Sequence, residues 1–90
     1  MTESVHLLIS GRVQGVGFRA ATLQQAQKHG LTGWVANCRD GSVEVYAEGE
    51  ANELTAFKNW LRTGPPSARV DQLTTLDPLP LEETHNFEIR

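Results

Sequence analysis

Asp40-Gly41 is the dipeptide that most restricts how this chain can fold. It stands between two β-rich runs, residues 31–37 and 42–48, and an Asp-Gly pair supplies the left-handed backbone that a tight hairpin needs. The two runs are therefore expected to be antiparallel neighbours. In the second, Val43, Val45 and Ala47 share one face and are expected to point inward, with the acids outward. An antiparallel step here breaks any repeated parallel βαβ sheet.

The flanking pattern completes the order. From Val5 to Val13 the odd positions are Val5, Leu7, Ile9, Gly11 and Val13, which predicts a strand. Leu8 is apolar on its second face, so the strand is expected to be central. Phe18, Thr22 and Ala26 then recur at fourth positions, predicting a helix over 18–28 with Gly30 as its left-handed stop. After the hairpin, Leu54, Phe57 and Leu61 form the stripe of a second helix, opened by Glu50 or Asn52 and stopped by Gly64-Pro65-Pro66. A weak strand over 70–76, a loop at 77–80 and a short strand over 86–89 close the chain. This order is that of an α+β, ferredoxin-like βαββαβ two-layer sandwich with a mixed, largely antiparallel sheet. Right-handed crossovers put both helices on one face, and a short extra C-terminal strand is added. The first and second strands then run parallel with the third between them, so their C-terminal ends share one edge. Strand spacing sets those ends about 10 Å apart, a gap that an arginine side chain spans.

Between the first strand and first helix lies Gly11-Arg12-Val13-Gln14-Gly15-Val16-Gly17-Phe18-Arg19. Small residues let the N–H groups of Gln14, Gly15, Val16, Gly17 and Phe18 crowd round a ligand, and a helix start has unpaired N–H groups of its own. Arg19 adds a forked, permanently charged donor suited to phosphate. This reads as a phosphate cradle, and topology brings Asn37, at the end of the second strand, to the same edge. Gly15, Gly17 and Ala20 also satisfy a degenerate dinucleotide-binding pattern, which the antiparallel turn at Asp40-Gly41 rejects.

These residues resemble the acylphosphatase family. Gly11 to Arg19 matches its first signature without a gap, Gly33-Trp34-Val35-Ala36-Asn37 with Asp40-Gly41-Ser42-Val43-Glu44 matches its second, and Phe87-Glu88-Ile89-Arg90 is similar to its usual ending. Cys38-Arg39 stand where many members carry Leu-Pro or similar residues. The resemblance implies residues 1–90 as one domain and hydrolysis of small acyl phosphates to carboxylate and inorganic phosphate, with no metal or cofactor. It also implies that Arg19 binds the phosphoryl group and Asn37 orients the attacking water.

The chemistry is self-consistent. An acyl phosphate releases a carboxylate of pKa about 4–5, which departs without a proton, so no general acid is required. What remains is positioning and charge stabilisation. Asn is too weak a base to deprotonate water, so the bound phosphate is expected to take the proton.

Other readings are weaker. Cys38 has no evident His partner and no sign of a lowered pKa, so a nucleophile is not expected. Arg12 reads as a solvated strand residue. His6, His29 and His85 lack metal-ligand spacing and are expected at the surface; Trp34, Phe57, Trp60 and Phe87 are expected in or near the core. Lys plus Arg is 8 against 11 for Asp plus Glu, a formal charge of −3, which disfavours nucleic acid and anionic membrane as partners. One cysteine excludes an internal disulfide, and the start at Met1 lacks the pattern of a signal peptide, so a cytoplasmic monomer is expected. A non-catalytic module binding phosphate or a phosphometabolite on the same fold is the alternative. RNA binding would need aromatic residues on the central strands. The related domain of hydrogenase-maturing carbamoyltransferases would sit in a longer, cysteine-rich chain. Finally, a strand over 86–89 running antiparallel to that over 70–76 would carry the Arg90 carboxylate to the catalytic edge, where it could pair with Arg19.

Overall fold

Leu7 and Ile9, two residues apart on the first strand, are both fully buried, and the architecture is built on that alternation. In the computed structural model, which describes residues 2–81 and 84–90, the elements are β1 (Glu3–Arg12), α1 (Phe18–Lys28), β2 (Thr32–Asn37), β3 (Val43–Gly49), α2 (Ala51–Leu61), β4 (Arg69–Thr75) and β5 (Phe87–Ile89). The sheet order is β4-β1-β3-β2-β5. Both β1 and β2 pair antiparallel with β3, so they are parallel to each other and end on the same edge. The ferredoxin-like arrangement expected from the sequence is the observed one.

Both helices cover one face of the sheet. Phe18 and Ala26 from α1, and Leu54, Phe57 and Leu61 from α2, join Leu7, Ile9, Val35, Val43, Val45 and Ala47 in one apolar cluster. Each large side chain so buried contributes about 1.5–3 kcal/mol. Thr22 lies on the same stripe, and its hydroxyl donates to Phe18 O at 2.8 Å, so its polar group is not stranded inside. Gly30 takes the expected left-handed conformation (φ 67°). Glu50, not Asn52, is the residue at the start of α2.

β5 runs antiparallel to β4, as expected, but does not lie beside it: it pairs parallel with β2 at the opposite side of the sheet, so its C-terminal end falls on the edge where β1 and β2 end. The physical reason lies in two aromatic demands. Phe87 packs edge-on against Phe57 at 6.1 Å, and the stacked Trp34 and Tyr46 on the outer face are covered only if the chain crosses over them on its way.

Two expectations need correction. First, β3 does not send all its acids outward. Glu48 is 5% exposed, because the Tyr46 hydroxyl donates to it and Thr84 donates from its N–H at 3.3 Å and its hydroxyl at 3.1 Å. Second, His6 is not a surface residue. Its side chain is 10% exposed, held between the Asp77 carbonyl and the Glu44 carboxylate. His29 is partly buried as well, bonded to Glu53 at 2.7 Å between the two helices.

Candidate active site

The chain leaves β1 at Arg12 and must reverse within a few residues to start α1 over the same sheet. Gly15 (φ 73°) and Gly17 (φ 77°) supply that reversal in left-handed backbone. A Cβ at either would meet nothing within 4 Å, so the backbone angle, and not crowding, calls for glycine there. Gly17 stands at the N-cap of α1 with no side-chain cap and no acid in the first turn. The first helical bond runs from Ala21 N–H to Gly17 O at 3.0 Å, so the N–H groups of Phe18, Arg19 and Ala20 precede the ladder and keep the partial positive charge of a helix start.

These groups open on a cleft of about 190 Å³ lined by Gly15, Gly17, Phe18, Arg19, Asn37 and Ile89, with Val13 and Ala20 beside them. The Phe18 side chain is 1% exposed and belongs to the core, so at the cleft it offers its main chain. Arg19 is half-buried, and its Nη1 lies 3.5 Å from the Arg90 main-chain oxygen, a long and weak contact. Asn37, exposed, is the last residue of β2. Among the described residues no acid lines the cleft, so an anion entering meets one guanidinium, helix-start amides and one carboxamide.

Of the five loop residues expected to bind phosphate, Gly15, Gly17 and Phe18 line the cleft and Gln14 and Val16 do not. The Gln14 side chain turns toward the β2–β3 hairpin, where its amide nitrogen donates to Cys38 O and Ser42 O, each at 2.8 Å. Val16 packs against the core, and its carbonyl accepts from the Ser67 hydroxyl at 2.7 Å. The loop is thus tied down on both flanks.

The hairpin itself is longer than the Asp-Gly dipeptide suggests. Residues 38–42 connect β2 to β3, closed by Cys38 N–H to Ser42 O at 2.8 Å and Gly41 N–H to Cys38 O at 3.3 Å. The Asp40 carboxylate accepts from the Ser42 hydroxyl at 2.5 Å and from its N–H at 3.0 Å. Those bonds, the hydroxyl's first, hold the Asp40 carboxyl below its ordinary pKa.

Cys38 is half-buried and does not line the cleft. Arg12 is exposed beside Arg69 of β4 and is likewise outside it. Two residues that bear on the site were not foreseen. Ile89 depends on the pairing of β5 with β2, and Ser67 lies in a connection with no periodicity. Among the described residues, no group of three His, Cys, Asp or Glu is placed to hold a metal ion.

A larger hollow, about 600 Å³, lies near the other ends of β2 and β3, between Gly30, Gly49, Leu81 and Thr84. Glu48 borders it, and a carboxylate there opposes an anionic ligand, so the smaller cleft is the better phosphate site.

A family model described as Acylphosphatase matches residues 5–89. The chain is similar to the acylphosphatase of Paraburkholderia xenovorans (strain LB400), 50% identical over 72 residues that make 80% of this chain and 74% of the relative. It is similar to that of Pseudomonas paraeruginosa (strain DSM 24068 / PA7), 45% identical over 86 residues that make 96% of this chain and 93% of the relative. Among solved structures, the crystal structure of acylphosphatase from Bacillus subtilis matches with a TM-score of 0.92 at 39% identity, covering 100% of this chain and 99% of that one.

Proposed function

The chain belongs to the acylphosphatase family, and on that premise we propose how its residues divide the hydrolysis of a small acyl phosphate. The Arg19 guanidinium and the N–H groups at the start of α1 hold the phosphoryl oxygens and carry the charge that builds on them. The Asn37 carboxamide holds a water in line with the leaving oxygen. The water oxygen attacks phosphorus while the bond from phosphorus to the acyl oxygen breaks. The carboxylate leaves with the electron pair, and a phosphoryl oxygen takes the proton of the water. No side chain needs to titrate, because the leaving group is already a weak base. By the same argument the step runs without a metal ion.

The observation that carries this reading is convergence. Arg19, the α1 start and Asn37, from two different connections, meet on one cleft that no acid lines among the described residues. The test is direct. The purified protein is expected to hydrolyse acetyl phosphate and benzoyl phosphate with EDTA present. Arg19→Ala is expected to lose on the order of 10³-fold in turnover, as arginines that stabilise phosphoryl transfer do, and Asn37→Ala nearly all of it, each with an unchanged circular dichroism spectrum. Wild-type-like activity in either variant would sink the division of roles. Phosphate binding without any turnover would instead identify a non-catalytic module.

A further inference from the structure

The proposed site has a construction problem. Arg19 and the helix-start amides follow β1, whereas Asn37 ends β2, and β3 lies between those strands. Their C-terminal ends are about 10 Å apart, while the in-line geometry must be held to a fraction of that. The sheet ladder sets where each strand ends but does not tie the two connections beyond it to each other.

Gln14 makes that tie. Its side-chain nitrogen donates to Cys38 O and to Ser42 O, both at 2.8 Å. A carboxamide nitrogen has two hydrogens, and with one on each carbonyl its donor capacity is spent. Cys38 is the residue after Asn37, and the Cys38 N–H closes the hairpin on the same Ser42 oxygen. The Gln14 side chain is therefore bonded to both strands of the hairpin just past Asn37. On the other flank of the loop, the Ser67 hydroxyl holds Val16 O at 2.7 Å. Gln14 lies outside the set of residues lining the cleft, so its side chain is aimed at the hairpin and not at a ligand.

We propose that Gln14 is a positioning residue, whose carboxamide fixes the Asn37 water site relative to the phosphoryl group held by Arg19 and the start of α1. This rests on the acylphosphatase reading. A shift on the order of 1 Å in such an alignment costs about 10²-fold in rate, whereas phosphate binding, which needs only the Arg19 side of the cleft, tolerates it. Turnover and phosphate affinity are therefore expected to separate.

The experiment compares Gln14→Met, which keeps the length and loses both donors, with wild type. It measures kcat on acetyl phosphate, the competitive inhibition constant of inorganic phosphate, and the thermal midpoint. Expected is a fall in kcat of about 10- to 100-fold, with the phosphate inhibition constant within about threefold of wild type. Gln14→Glu, which offers acceptors to two carbonyls, is expected to be no better than Gln14→Met. Parallel loss of turnover and phosphate affinity would make Gln14 a brace for the whole loop and overturn the proposal, and so would an unchanged kcat. Should Gln14→Met not fold, Gln14→Asn, with the donors on a shorter stem, is measured for the same split. A wild-type chain with no turnover would overturn the functional reading itself, whereas an active wild type insensitive to Gln14→Met overturns this proposal alone.

Discussion

On the helix side of the sheet, Leu7, Ile9, Val43 and Val45 meet Phe57 and Leu61 through apolar surface, and all six are fully buried. On the other side, His6, Trp34, Tyr46 and Glu48 lie under residues 76–81 and 84–86, and the bonds there are directional. The His6 ring is bonded to Asp77 O at 2.9 Å, the Tyr46 hydroxyl lies 3.4 Å from Pro80 O, and the Thr32 and Thr84 hydroxyls are bonded to each other at 2.7 Å. Apolar contact is indifferent to pH and tolerant of small shifts. Hydrogen bonds to one carboxylate or one carbonyl are neither. The first face makes the fold, then, and the second makes it conditional. The second also reaches toward the cleft. Arg90 lies over Trp34 with 5.2 Å from guanidinium carbon to ring centre, its N–H donates to Val35 O at 2.8 Å, and its main-chain oxygen is the one beside Arg19.

The contrast breaks most readily on the helix side. Phe57→Ala removes a fully buried ring that touches both helical and strand partners. A loss of about 3–5 kcal/mol is expected, read from the urea midpoint with an unchanged slope. That is comparable to the whole stability of a small domain. A loss below about 1 kcal/mol would mean that the two faces do not differ as described.

Tyr46→Phe tests the outer face with a smaller change. The ring and its stacking on Trp34 at 6.1 Å remain, while the hydroxyl donor to Glu48 goes. Because Thr84 still donates to that carboxylate, the expected cost is about 1–3 kcal/mol, the range for a buried acceptor losing one partner. Turnover of folded protein is expected to stay at the wild-type value, since neither Tyr46 nor Glu48 lines the cleft.

The difference between the faces also explains what the sequence disclosed. Leu7 and Ile9, or Phe18, Thr22 and Ala26, announce themselves because a helix or strand period repeats one demand, burial, several times over. The loop at Gly15 to Arg19 is legible because its residues are contiguous, and Asn37 because the topology carries it to the same edge. Tyr46 and Glu48 occupy positions where alternation assigns solvent, and only the crossing of the tail over them makes them interior. That crossing has Pro78 and Pro80 and no period to read. The side of the sheet on which β5 adds was hidden for a related reason: three residues carry too little pattern, and the choice is made by Phe87 meeting Phe57. The Gln14 tie was hidden more deeply. Its partners are main-chain carbonyls, which every residue has, so nothing in the identities of Cys38 or Ser42 could point to it.

The smallest effect expected is the pH dependence of the outer face, and its sign follows from the geometry of His6. The Asp77 carbonyl can only accept, so Nδ1 at 2.9 Å carries a hydrogen. Nε2 lies 2.5 Å from Glu44 Oε2, and an ionised carboxylate also only accepts, so the two partners together favour the imidazolium, which donates on both sides. The charged groups facing it are Glu44 from β3 and Asp77 beyond β4, with the edge of Trp34 at 6.3 Å from β2. Burial works against the charge, but the bond to Glu44, the bond to the Asp77 carbonyl and the two negative charges outweigh it, and the pKa of His6 is raised above 6.5. A group whose folded pKa is raised contributes its full stabilisation below its unfolded value, about 6.5, and loses it as pH rises through the folded value. Wild type is therefore expected to have a lower urea midpoint at pH 9 than at pH 6, with a smaller difference in His6→Gln, which cannot titrate. Carboxylates such as Asp40, whose pKa is lowered, lose their contribution only far below this window and leave the comparison undisturbed. Equal pH dependence in the two proteins would show that His6 does not carry the charge that its two acceptors demand.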